Sequence, residues 1–152
     1  MLEAWRIVKK KHAATAFSGE GAARTGGRWN SRGVRVVYAS LSKALAALEN
    51  LVHLNPPVVF DYVAIPLRFD ESLIERFPVN QLPRHWRAQP PPPSTQRLGD
   101  VWVRESRAAV LALPSVIIPS ETNFLLNPAH PDFKKISIGR PERFAFDPQL
   151  LA

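Results

Sequence analysis

Cysteine is absent from all 152 residues, which excludes a disulfide framework, a cysteine nucleophile and any thiolate-based zinc or iron–sulfur site. Long apolar runs are missing too. No stretch approaches the ~20 consecutive apolar residues that a membrane-spanning helix needs. The four histidines, His12, His53, His85 and His130, fall at no metal-ligand spacing, so no metal is expected. Common nucleotide and hydrolase signatures are absent as well. No Gly-Lys-Ser/Thr closes a phosphate loop, and no Gly-x-Ser-x-Gly elbow occurs. The run from Gly19 to Arg24 lacks the third small residue of a dinucleotide fingerprint. Negative charge is the minority sign, with 13 Asp+Glu against 20 Lys+Arg and a formal charge of +7. That excess favours a polyanionic partner (nucleic acid, a phosphorylated metabolite or an acidic protein) without choosing among them. From Met1 to His12 the lysines follow the apolar segment and no signal-peptide core is present. A cytoplasmic protein without membrane contact is expected.

The residues present describe one α+β domain spanning 1–152. Fifteen prolines, about twice the usual share, argue against a helical bundle. Residues 5–8 read as an opening strand. Five of the seven glycines lie between Gly19 and Gly33, so residues 17–33 read as a long adaptable loop in which Gly26 and Gly27 disfavour a helix. Residues 35–39 are β-branched and aromatic. Ser40 and Ser42 are candidate caps for a helix reaching His53 and stopped by Asn55-Pro56-Pro57. A strand over 58–66 and a short helix over 71–76 follow. Pro90 to Pro93 stiffen a surface loop over about 83–94. A helix capped by Ser94 or Thr95 and running to Val103 comes next, then strands over 108–113, 115–118, 135–138 and 143–146. The outcome is a small core sheet with flanking helices.

Four arginines, Arg24, Arg28, Arg32 and Arg35, stand in or beside the glycine loop with no acidic residue between them. Glycines let backbone N–H groups approach an anion, and each guanidinium offers a planar fork to phosphate oxygens. A diphosphate suits such a loop; a solvated basic loop is the plain alternative. Glu49 falls beside Leu48 and Val52, on the apolar side of its helix, where a carboxylate is costly unless paired or functional. An Arg–Glu pair at the core edge would also explain it. Tyr38 ends the strand leading into that helix and could stack a planar ring or simply pack. Ser115 follows Leu113-Pro114 in an apolar run, where a serine commonly bonds to backbone. The four tryptophans are scattered and form no stacking platform for bases.

Together these segments resemble the RES-domain toxins of bacterial toxin–antitoxin pairs, whose name comes from an Arg, a Glu and a Ser. The resemblance is carried by Trp5-Arg6-Ile7, Gly26-Gly27-Arg28-Trp29-Asn30-Ser31, Tyr38-Ala39-Ser40, Leu48-Glu49 with His53, Gly99-Asp100-x-Trp102, Pro114-Ser115 and Asn123-x-Leu125-Leu126-Asn127-Pro128. It implies a fold similar to ADP-ribosyltransferases, with NAD as substrate and no metal. Arg28, Glu49 and Ser115 match the naming triad and Tyr38 the family's site tyrosine. Arg6 and Asn123 match positions in or near the same pocket, and Ser120 competes with Ser115. The implied roles are Glu49 against a cationic ribose, Arg28 and Arg6 on the diphosphate, Tyr38 stacked on nicotinamide, and Ser115 orienting nicotinamide or its ribose. Residues 82–93 depart from the family pattern, with His85 where a small turn residue is expected. The resemblance also implies an Xre-type antitoxin in a hetero-oligomeric complex, through which alone the toxin would meet DNA. Water, inorganic phosphate or a protein could accept the ADP-ribose. The competing expectations are a host-protein ADP-ribosyltransferase, a basic ribonuclease or RNA-binding toxin using His12 or His130, and a non-catalytic interaction module.

Overall fold

The computed structural model describes residues 1–54 and 61–151. Its frame is a sheet of strands β1 (Leu2–Lys9), β2 (Val37–Ser40), β3 (Tyr62–Phe69), β4 (Ile74–Arg76), β5 (Val110–Pro114), β6 (Thr122–Leu126), β7 (Ser137–Ile138) and β8 (Glu142–Phe144). The spatial order is β4-β5-β6-β2-β1-β3-β7, and β8 also pairs with β3. β4 runs parallel to β5, and the other pairings are antiparallel. Helices α1 (Glu20–Thr25), α2 (Lys43–Leu51) and α3 (Pro93–Glu105) complete an α+β fold.

One junction in the sheet shapes the site. β1 pairs with β3 along its whole length, yet meets β2 only at Trp5 opposite Ser40. Beyond that point the two halves of the sheet part. Ser40 is also opposite Asn123 of β6, so three strands align at this junction. One face of the β2–β6–β5 half carries Tyr38, Leu125, Leu111 and Leu113, packed with Trp29 and with Trp102 of α3. The other face carries Val37, Ala39, Phe124, Leu126, Val110 and Ala112, continuous with Ala4, Leu67 and Phe69. α2 lies over the junction, with Ala46 against Ile7 and Ala64.

Several expected elements take a different form. The glycine-rich segment contains α1, because the helix ends at Gly26 (φ +70°) before the second glycine is reached. Arg28 and Arg32 are therefore off that helix. Residues 71–76 split into a 3-10 turn over Glu71–Leu73 and the strand β4. Residues 115–118 form a turn after β5, and β6 follows it. Only Ser42 caps α2, accepting the Leu45 N–H at 3.0 Å. α3 starts at Pro93 after Pro92, without a side-chain cap from Ser94 or Thr95. Proline suits a first turn, whose N–H groups have no intrahelical acceptor. His85 adopts a left-handed φ of +64°, the conformation for which a small turn residue is expected. The stop at Asn55-Pro56-Pro57 and the start of the 58–66 strand lie outside the described residues.

Candidate active site

The loop between α1 and β2 is built to hold one arginine. Gly27 and Asn30 form an isolated bridge that turns the chain. Asn30 is fully buried; its Nδ2 donates to the carbonyls of Ala22, Ser31 and Val34, and its Oδ1 accepts the Tyr38 O–H at 2.6 Å. The Trp29 N–H donates back to Tyr38 Oη at 3.1 Å. α3 grips the loop from its other side. Asp100 accepts the Ser31 N–H at 2.9 Å and the Ser31 O–H at 2.6 Å, and Gln96 Nε2 donates to the Gly27 carbonyl. Arg28 leaves this loop half-buried, its Nη1 donating to the carbonyls of Trp86 and Ala88 at 2.9 and 2.8 Å. The 83–94 loop is thereby anchored to the arginine, and Trp86 also stacks on Trp29.

These bonds make Asp100 a measurable anchor. Asp100→Ala removes a carboxylate that accepts two hydrogen bonds, and a bond to a charged group contributes about 1.5–3 kcal/mol. With the two bonds together contributing about 3 kcal/mol or more, the variant should melt at least about 6 °C lower, at about 2–4 °C per kcal/mol for a chain of this size. A melting curve superimposed on that of the parent would show that α3 does not secure the loop.

Tyr38 presents a half-buried ring, and burial pushes its phenol well above the ordinary value, so it stays neutral. Glu49, on α2, is half-buried and accepts the Asn123 Nδ2–H on Oε2 at 2.6 Å. Burial raises its carboxyl pKa; the Asn123 amide, His53 and Arg28 each pull it part of the way back. Arg28 is shifted down by burial and up by Glu49 and Tyr38. The two opposite charges thus sense each other, yet they form no ion pair among the described residues.

Arg28, Tyr38, Glu49 and Asn123 are linked by these bonds and fields. The remaining expected residues are placed differently. Ser115 is fully buried at the end of β5, two residues beyond Leu113, which is opposite Asn123. Ser115 Oγ accepts the N–H groups of Ile117 and Ile118 and fixes the turn toward β6. Ser120 is exposed in that turn. Arg6 is opposite Ile65, on the face away from Tyr38 and Ser40. Its Nε and Nη1 donate to the carbonyls of Ala16 and Tyr38 at 2.7 and 3.0 Å, bracing the point where the sheet parts. Burial lowers its pKa to about 10, so it stays charged at neutral pH.

Of the basic cluster, Arg24, Arg32 and Arg35 are exposed, and Arg35 approaches Glu20 at 3.9 Å. His130 accepts the Asp132 N–H on Nδ1 and caps a turn, while His12 is exposed elsewhere. No three His, Asp or Glu side chains among the described residues could hold a metal ion, and no helix there is long and apolar enough to cross a membrane. Sequence reasoning assigned no role to Asn30 or Asp100 and gave Ser40 a helix cap. For Asn30 and Asp100 the available signal was their place inside short motifs dense in Gly and Trp.

A family model described as RES domain matches residues 3–147. The chain is 39% identical to the Prs ADP-ribosylating toxin of Sphingobium sp. (strain YBL2), over 97% of this chain and 95% of that protein. It is 35% identical to Toxin Res of Yersinia enterocolitica serotype O:8, over 96% and 97%. Toxin Res of Pseudomonas putida is 37% identical over the same shares. Among solved structures, the M. tuberculosis MbcT–MbcA toxin–antitoxin complex contains a chain of like fold, with a TM-score of 0.71 at 13% identity. The match covers 95% of this chain and 84% of that one.

Proposed function

The chain belongs to the RES-domain family of toxins, and on that premise we propose that it consumes NAD by breaking the nicotinamide–ribose bond. The observation that carries the reading is the Glu49 carboxylate, half-buried, held by Asn123 and within the field of Arg28 without pairing to it. As the bond from ribose C1 to the nicotinamide nitrogen breaks, its electron pair leaves with nicotinamide and the sugar becomes cationic. A preorganised carboxylate stabilises that charge far better than water does. Water or inorganic phosphate then adds at C1 and loses its proton, giving ADP-ribose or its 1″-phosphate.

Arg28 uses Nη1 on two carbonyls, which fixes the guanidinium and leaves its Nε–H and Nη2 for diphosphate oxygens. Tyr38 offers its ring to nicotinamide from a phenol locked by Asn30 and Trp29. Ser115, fully buried with its oxygen accepting two N–H groups, acts behind the site by holding the turn between β5 and β6, as a positioning residue. Arg6 acts behind the site, on the Tyr38 carbonyl, as a positioning residue. The partner is an antitoxin that restrains the activity, a reading supported by the toxin–antitoxin complex of like fold; its Xre type follows from the family resemblance alone.

Chromatography of NAD incubated with the protein tests the reaction. Nicotinamide should appear, with label from the adenosine half of NAD in ADP-ribose, or in its 1″-phosphate when phosphate is supplied. The name of the Sphingobium relative keeps protein ADP-ribosylation as the second reading. Label retained on a protein would favour it, and NAD left intact would overturn both. The ribonuclease reading has less support, since His130 is already engaged as a cap.

A further inference from the structure

We propose that Ser40 is a positioning residue which, through Asn123, sets the orientation in which the Glu49 carboxylate meets the ribose. Its consequence for rate rests on the NAD-cleaving reading above; its geometry does not.

Ser40 closes β2 at the junction where β1, β2 and β6 align, opposite both Trp5 and Asn123, and it is 3% exposed. Its Oγ–H donates to Asn123 Oδ1 at 2.6 Å, and Asn123 Nδ2 donates to Glu49 Oε2 at 2.6 Å. Chemistry fixes the direction of this relay. A carboxylate only accepts, so the amide must turn Nδ2 toward Glu49. Oδ1 then faces Ser40, which must donate. Because Ser42 caps α2, the Ser40 hydroxyl is free for this task.

Without the hydroxyl, the two orientations of the Asn123 amide become closer in energy. The flipped one sets Oδ1 against Glu49, where two acceptors repel unless the carboxyl is protonated. Arg28 from the glycine loop and His53 beyond the end of α2 also act on Glu49. Neither touches the amide through a hydrogen bond, so neither can replace Ser40 in orienting it.

The test pairs a carboxyl titration with kinetics. Carboxyl-labelled glutamate followed by NMR gives the Glu49 midpoint without any substrate. Ser40→Ala should raise that midpoint by about one unit, since loss of a bond to the charged form favours the protonated one. Above the titration, kcat for nicotinamide release should fall about tenfold with KM within about twofold. Ser40→Thr, which retains the hydroxyl, should restore both. In an Asn123→Ala background, Ser40→Ala should add nothing, because the relay is already cut. An unchanged midpoint in Ser40→Ala would overturn the proposal, as would a shift that Ser40→Thr fails to reverse. Absence of nicotinamide release by the parent protein would instead overturn the NAD reading, and the midpoint would still decide the relay.

Discussion

Glu49→Gln should lower nicotinamide release by about 10²–10³-fold, the usual cost of removing one preorganised electrostatic group from a reacting centre. The substitution keeps the side chain's shape, and the new amide can turn Oε1 toward Asn123 Nδ2, so the bond at that end survives. What disappears is the negative charge, and with it the response to a cationic ribose. KM should move little, because neutral NAD ribose is bound before that charge develops. The pH profiles should diverge in the same way. Burial raises the Glu49 pKa, so the parent's rate should climb with pH through a value above the ordinary carboxylate range. The variant should show no such limb. Stability has the opposite sign. A carboxyl whose folded pKa is raised costs stability increasingly as pH rises from its unfolded value through its folded one, and the cost is absent below both. Glutamine carries no such cost, so the variant should melt at or above the parent's temperature at neutral pH. Turnover equal to the parent's would end the catalytic assignment; a lowered melting temperature would show that the carboxylate serves the fold.

The helix bearing Glu49 was legible in the sequence because its apolar residues recur at helical spacing, and a carboxylate among them stands out. Strand β2 was legible from its β-branched and aromatic run. β6 was not, for a physical reason. Phe124, Leu125 and Leu126 are all buried, so the alternation that marks a half-exposed strand is missing. α1 was hidden by its glycines, although the six-residue helix ends at the first of the pair. The site's internal bonds were beyond any periodicity. Asn123 is 74 residues from Glu49, and Ser31 is 69 from Asp100. Local pattern reports which way a side chain points, and nothing about a partner so far along the chain. Only the family resemblance gathered Arg28, Tyr38, Glu49 and Asn123 before the fold did. It also grouped Arg6 with them, which the register sets on the other face.

Gly99→Ala should be the most damaging of the seven possible glycine-to-alanine changes. A Cβ built on Gly99 would stand 1.7 Å from the Trp29 carbonyl oxygen and 2.8 Å from its carbon, and both are backbone atoms. A flexible side chain could swing aside; a main-chain carbonyl cannot. Either α3 must lift from the glycine loop, or the loop must give way. Lifting α3 strains the Asp100 bonds to Ser31 and the Gln96 bond to Gly27, and disturbs the packing of Trp102 beneath. Moving the loop displaces Trp29, whose N–H holds Tyr38, and Arg28 beside it. Overpacking commonly costs 1–3 kcal/mol, and the absence of a compliant neighbour places this case at about 3 kcal/mol or more. Melting should fall by roughly 6–12 °C, and nicotinamide release should drop even in the fraction that stays folded. Gly21 supplies the control, because a methyl there meets nothing within 4 Å. Gly21→Ala, inside α1, should melt at or slightly above the parent's temperature, since alanine is favoured over glycine in a helix by about 1 kcal/mol. If Gly99→Ala melts and turns over like the parent while Gly21→Ala does too, then α3 and the arginine loop do not meet as closely as this packing requires.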